Sequence, residues 1–319
     1  MMRDLSDLEH LFTAAETLRE IQSRRPAIAR FEVETALKAN GRTAVFEGRY
    51  DGAHAVLKLF QGAGRAEHAR AQKRELTRLA ATMDTGPWRV APILAAWPGE
   101  GITVTAHVTG TRLDRAIAQA GDSPMRDMLF GEAGQWLAHL VAPANRVVEF
   151  AASHWSQARH RELARIADRP DARRARALMA CLDTFAPTVA GKPVTQARCH
   201  GDFAPINLIR TPHALYGVDI QNAHWLPLVK DVARFLVFVQ TTHPRPGGTR
   251  RYGIDARDLD ALLAPLTLLD PHEQALHLPF FIGVELAAKL AHTDRTAPKA
   301  DNLRSAIDGF LKVAGKPAR

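Results

Sequence analysis

The sequence runs to 319 residues, 46% hydrophobic and 24% charged, with a formal net charge of +8. That mixture buries a sizeable core and excludes disorder or a collagen-like repeat, and no apolar run reaches the roughly 20 residues needed to cross a bilayer. The basic excess favours encounters with anions without selecting among them, yet no zinc finger, basic heptad region or aromatic–basic alternation points to a nucleic-acid partner.

In chain order, the opening MMRDLSDLEHLF sets two acids ahead of any apolar stretch, which does not fit a secretory leader. Leu5 to Ile21 repeats apolar residues at helical spacing, with Leu5, Leu8, Leu11 or Phe12, Ala15 and Leu18 on one face. Thr43 to Phe60 (TAVFEGRYDGAHAVLKLF) reads as a hairpin, strands Ala44–Tyr50 and Ala53–Phe60 flanking the turn signal Asp51-Gly52. A helix follows over about Arg65 to Ala81, with Ala69, Gln72, Leu76 and Leu79 near one face. Gly86-Pro87 breaks it, and strands are expected at Val90–Ala96 and Ile102–Val108 around the turn Pro98-Gly99-Glu100-Gly101.

From Leu113 the pattern turns largely helical. Helices are expected at Met125–Leu140, Asn145–Ile166 and Ala172–Phe185, separated by Pro143 and Pro170. Short strands return at Asn207–Arg210 and Leu215–Ile220, and helices resume at Leu228–Gln240, Asp258–Leu263, His272–Ala291 and Asp301–Val313. Thr241 to Arg251 (TTHPRPGGTRR) reads as a mobile loop. This order predicts an α+β chain with an N-terminal helical extension over 1–29, a small sheet-rich lobe over 30–106 and a helix-rich lobe over 107–319. A crevice between two unlike lobes is a usual place for a cofactor. Two cysteines, Cys181 and Cys199, are too few for a disulfide framework and read as reduced thiols of a cytoplasmic protein.

The densest chemical signal is Arg198 to Ile209, RCHGDFAPINLI, followed by an apolar strand ending in Val218-Asp219-Ile220. The pattern is His-x-Asp-x-x-x-x-Asn and then an Asp at a strand tip. With the stretch VDIQNAHWLPLVKDVARFL, it resembles the aminoglycoside phosphotransferase and choline kinase group of the protein-kinase-like superfamily. The likeness covers most of the chain beyond the first 30 residues, and its specific part is 199–236.

The resemblance implies a bilobal protein-kinase-like fold and transfer of the γ-phosphate of ATP, as a magnesium complex, to the hydroxyl of a small-molecule acceptor. Asp202 takes the catalytic-base role, with His200 anchoring its loop; Asn207 and Asp219 become the magnesium ligands, returned toward one another by the hairpin. Lys58, amid the apolar strand Ala55–Phe60, is the lysine that reaches the phosphates. Its helix carboxylate is expected to be Glu75, with Glu67 second. Asp231 opens an apolar helix, in the place of the group's Asp-Leu-Ala, and is assigned to fastening the loop backbone.

Phosphoryl transfer spreads negative charge over the moving group, so positioning and charge compensation are what these residue types can supply. The chain also departs from the pattern. The turn Asn40 to Ala44 has one glycine, with Arg42 as a further phosphate contact, and Asp219-Ile220-Gln221 stands where protein kinases carry Asp-Phe-Gly. No Ala-Pro-Glu is present, which argues against a protein substrate. Val104 to Val108 is expected to read the nucleotide base through its backbone. Acceptors in the group include aminoglycosides, choline, amino acids, sugars and lipid-linked sugars; the basic charge agrees better with an anionic or membrane-linked sugar than with a polycation. The alternative is a catalytically inactive kinase-like nucleotide-binding or scaffold protein.

Overall fold

The computed structural model describes residues 5–166, 171–220, 224–293 and 299–314, and its elements fall into two compact units, Met1–Gly110 with Thr211–Ala223, and Thr111–Arg210 with His224–Arg319. Gln221 of the Asp-Ile-Gln triplet and the helix break at Pro170 lie outside the described residues.

The first unit is built on a five-stranded antiparallel sheet in the order Phe31–Ala39, Thr43–Tyr50, Ala53–Phe60, Ile102–Ala106, Ile93–Trp97. The expected hairpin is there. Asp51 and Gly52 take φ of 53° and 78°, the pair of left-handed residues that a two-residue turn needs to match strand twist. The strand Phe31–Ala39 was not visible in the sequence because it is an edge strand: only its two end residues are buried, and two register shifts interrupt the alternation. At the first of these Gly48 is required, since a Cβ there would lie 1.9 Å from the Glu32 carbonyl oxygen.

Along Ala53–Phe60 the side chains alternate. Ala55, Leu57 and Leu59 join Phe46, Ile102 and Val104 in a core roofed by the helix Leu5–Arg24, which contributes Leu11, Ala14, Leu18 and Ile21. The buried stripe is therefore shifted from the expected one, with Leu8 and Phe12 exposed. Lys58 is buried on the opposite face, beside Val45 and Thr103 of the neighbouring strands. The helix Arg65–Met83 follows as expected. The strand expected over Val90–Ala96 is two, Trp88–Val90 and Ile93–Trp97. Leu215–Gly217 pairs in parallel with Trp88–Val90 and carries the chain to Asp219 within this unit.

The second unit contains the helices Leu113–Ala120, Pro124–Val141, Ser153–Leu163, Ala172–Val189, Leu228–Thr242, Ala256–Leu263, Pro271–His292 and Lys299–Ala314. Within it a three-stranded antiparallel sheet has Pro193–Cys199 in the middle, flanked by Asn145–Glu149 and His224–Pro227. One expectation fails here. Asn145–Glu149 is a strand and not the first turn of a helix, its Asn-Arg-Val-Val-Glu pairing residue by residue with Ala197 back to Pro193. In Thr241–Arg251 the first two residues end a helix and 243–249 form the expected loop, within which Arg245, 3% exposed, is gripped by Asp258 at 2.8 Å and Asp127 at 2.6 Å. A buried guanidinium demands such partners. No helix among the described residues is long and apolar enough to cross a membrane.

Candidate active site

The residues singled out from the sequence are distributed over both units. In the first, Lys58 donates from Nζ to Oδ1 of Asp219, and Lys38 Nζ stands 3.8 Å from the other oxygen. Lys58 is 6% exposed and lies over the ring of Phe60 at 5.1 Å. Asp219 has φ of 60°, a left-handed backbone that costs a non-glycine residue free energy and is found where surroundings impose it.

Gln72 anchors the next residue. Its Nε2 donates to the Ile220 carbonyl at 3.1 Å, and its Oε1 accepts from the Thr103 hydroxyl at 2.6 Å. One buried carboxamide thus connects the helix Arg65–Met83, the central sheet and the residue after Asp219. Glu75, 2% exposed on the same helix, accepts from Arg78 at 3.1 and 2.5 Å. Glu67, the second choice for a lysine partner, is exposed and pairs with Arg70 and Arg74. Arg42 is exposed on a turn tied by the Asn40 side chain, whose Oδ1 accepts from the amides of Arg42 and Thr43, both at 2.9 Å. In the expected connector the amides of Ala106 and His107 donate to the Pro92 and His54 carbonyls.

In the second unit the central strand Pro193–Cys199 delivers His200-Gly201-Asp202 at its end. Gly201 has φ of 82°, where glycine alone is unstrained. Its amide donates to both oxygens of Asp231, at 3.2 and 3.1 Å, and its carbonyl accepts from Lys230 Nζ at 3.1 Å. Asp231 is fully buried in the first turn of Leu228–Thr242. His200, 3% exposed, sits against Trp136 and Phe203, which stack with ring centroids 5.8 Å apart. Trp136 is core beneath the loop.

Asp202 itself is held by Arg234, whose Nε lies 2.8 Å and Nη2 2.5 Å from Oδ1. Nearly half of the Asp202 side-chain surface, 47%, remains open. Its protein surroundings push the carboxyl up by desolvation, but the charge and hydrogen bonds of Arg234 outweigh that and hold it below the usual aspartate range. Asn207 donates from Nδ2 to the Asp202 carbonyl at 2.9 Å, so the amide's oxygen is the end suited to a cation. The Arg234 guanidinium also reaches Glu285 at 3.3 Å, and Lys230 stands 4.0 Å from the same carboxylate. Beside the loop Cys199, 1% exposed, is kept a thiol, burial and then the Asp231 charge raising its pKa well above the ordinary value.

Sequence reading did not find Arg234, Lys230, Glu285, Lys38 or the function of Gln72. Two signals were available. Arg234 lies three residues after Asp231, one turn along the same helix face. Gln72 interrupts an otherwise apolar stripe, and a glutamine placed for burial needs partners at both ends of its amide.

No protein-family model and no curated protein sequence matches this chain. Solved structures do share its fold. A choline/ethanolamine kinase family protein from Mesorhizobium loti matches with a TM-score of 0.58 at 13% identity, over 95% of each chain. A thermostable aminoglycoside phosphotransferase mutant in ternary complex with ADP and hygromycin B matches with a TM-score of 0.59 at 10% identity, over 94% of this chain and 99% of the other. Amicoumacin kinase in complex with AMP-PNP, Ca2+ and Ami matches with a TM-score of 0.56 at 11% identity, over 96% of each. The likeness is one of fold: the chain is α+β and bilobal in the protein-kinase-like manner, with a small antiparallel-sheet lobe and a larger helical lobe.

Proposed function

We propose that this protein is a small-molecule kinase that transfers the γ-phosphate of ATP to a hydroxyl group of its acceptor. The observation that carries the reading is Asp202: an ionised, half-open carboxylate, clamped by Arg234 on a loop whose backbone is fastened by buried Asp231. The nucleotides named with two of the structures sharing the fold, ADP and AMP-PNP, support ATP as the donor.

In the proposed reaction the acceptor oxygen bonds to the γ-phosphorus, the bond from that phosphorus to the β,γ-bridging oxygen breaks, and ADP leaves. The acceptor's proton passes to the open oxygen of Asp202 late in the transfer. Because Arg234 keeps Asp202 a weak base, orientation of the hydroxyl is its larger contribution. Lys58 binds phosphate oxygens, and His200 and Asp231 keep the loop in register.

Asn207 and Asp219 supply the oxygen donors suited to magnesium, and Asp219 already carries ammonium groups on both oxygens. Magnesium takes one or two protein oxygens and completes its shell with phosphates and water, so two such donors would be enough. When bound, it would neutralise the charge of the phosphates.

Incubation with ATP and magnesium against a metabolite pool, followed by mass detection, tests the proposal. One acceptor should gain the mass of a single phosphoryl group as ADP accumulates. Addition of a whole nucleotide, or no product at all, would contradict it.

A further inference from the structure

The helices Leu228–Thr242 and Pro271–His292 pack against each other in the second unit. On the first, Lys230, Arg234 and Phe238 recur every fourth residue and so share one face. On the second, Glu285 and Lys289 do the same. Among the described residues the cations here outnumber the anions: Lys230, Arg234, Lys289 and Lys299 against Asp202 and Glu285.

The charges are not equally engaged. Lys230 is bound to the Gly201 carbonyl, and Arg234 to Asp202 and Glu285. Lys289 makes no ion pair and no hydrogen bond among the described residues, and its ammonium stands 4.7 Å over the ring of Phe238. Its pKa falls to about 8, first through burial and then through the charges of Arg234 and Lys299, against the opposing pull of Glu285 and Asp202. An ammonium held in such surroundings without a counter-ion is unfavourable. A ligand anion would supply the missing partner. A cationic acceptor would instead meet an excess of like charge.

We propose that the acceptor carries an anionic group, a carboxylate or phosphate ester, and that Lys289 receives it beside the Asp202 loop. This names the substrate class and rests on the small-molecule kinase reading for its meaning. The binding of an anion at Lys289 can nevertheless be measured without turnover.

The full-length protein is titrated with inorganic phosphate and with acetate at constant ionic strength, following the NMR signal of the Lys289 side chain. That signal is assigned by its loss in Lys289→Met, and exposed Lys73 serves as the control. A saturable shift at Lys289, with its pKa moving upward, is expected. A drift no different from that of Lys73 overturns the proposal. In a second arm, transfer from Mg-ATP is compared for glycerate, glycerol 3-phosphate and 2-aminoethanol, which separates carboxylate from phosphate ester and both from an amine. One of the two anions should be preferred to the amine by about tenfold or more in kcat/KM. Lys289→Met should shrink that ratio mainly through KM, and Lys289→Arg should restore it. Preference for the amine, or an unchanged ratio in Lys289→Met, overturns the proposal. If none of the three is phosphorylated, the kinase reading loses support, while the titration still decides whether Lys289 is an anion site.

Discussion

Arg234 places two nitrogens within 2.8 Å of one oxygen of Asp202, and its third nitrogen 3.3 Å from Glu285. The helix Leu228–Thr242 therefore sets both the direction and the acidity of that carboxylate, while Asp231, one turn earlier, fastens the loop that carries it. On the proposed chemistry, Asp202→Ala lowers kcat by about a thousandfold, within the range for loss of a positioned acid–base group. Mg-ATP affinity stays within about threefold. Steady-state kinetics and a nucleotide-binding titration check both halves.

Removing Arg234 changes the pH profile as well as the rate. Asp202 has a depressed folded pKa, so the stability of its pairing is fully present above the ordinary aspartate value of about 4 and fades as pH falls through the lower folded value. In Arg234→Met the largest influence opposing the desolvation of Asp202 is gone, leaving only the weaker ones of His200 and Lys230. The acid limb of kcat/KM should then move to higher pH than in the wild type, while a merely structural role would lower the whole profile without moving the limb.

Asp231→Ala leaves the Gly201 amide without its carboxylate and removes the fully buried side chain. Loss of a charge-assisted hydrogen bond of this kind costs about 1.5–3 kcal/mol. A fall in denaturation midpoint together with loss of turnover is expected, and Asp231→Asn, whose amide oxygen still accepts, should lose less of both.

Gln72→Leu separates the support of Asp219 from Asp219 itself. The Thr103 hydroxyl and the Ile220 carbonyl lose their shared partner, at a cost of about 1–3 kcal/mol in stability. Because Ile220 adjoins Asp219, affinity for Mg-nucleotide should weaken in the same variant. Asp219→Asn should weaken it further and blunt its dependence on magnesium. Calorimetric titration across magnesium concentrations distinguishes the two.

Much of the small unit was legible because its signals are local. Asp51-Gly52 dictates a two-residue turn, and the alternation of Ala55, Leu57 and Leu59 with Lys58 sets the register of the strand that presents the lysine. The loop from His200 to Asn207 stood out because so many polar groups have no place in a core. The strand Phe31–Ala39 did not, since an exposed edge need not alternate. Asn145–Glu149 was misread because five residues satisfy either period until the partner strand Pro193–Cys199 is known. The clamp on Asp202 was illegible for the same reason: Arg234, and the Glu285 that pairs with it, lie 32 and 83 positions beyond Asp202 in the chain, and only the fold brings them together.

The most direct measurement follows the γ-phosphate itself. With ATP labelled at that position, magnesium and a metabolite extract, the wild-type protein should move the label to one small hydroxyl compound, whereas Asp202→Ala should leave it on the nucleotide while still binding ATP. Equal transfer by both proteins, or label that never leaves ATP in the wild type, would contradict the account.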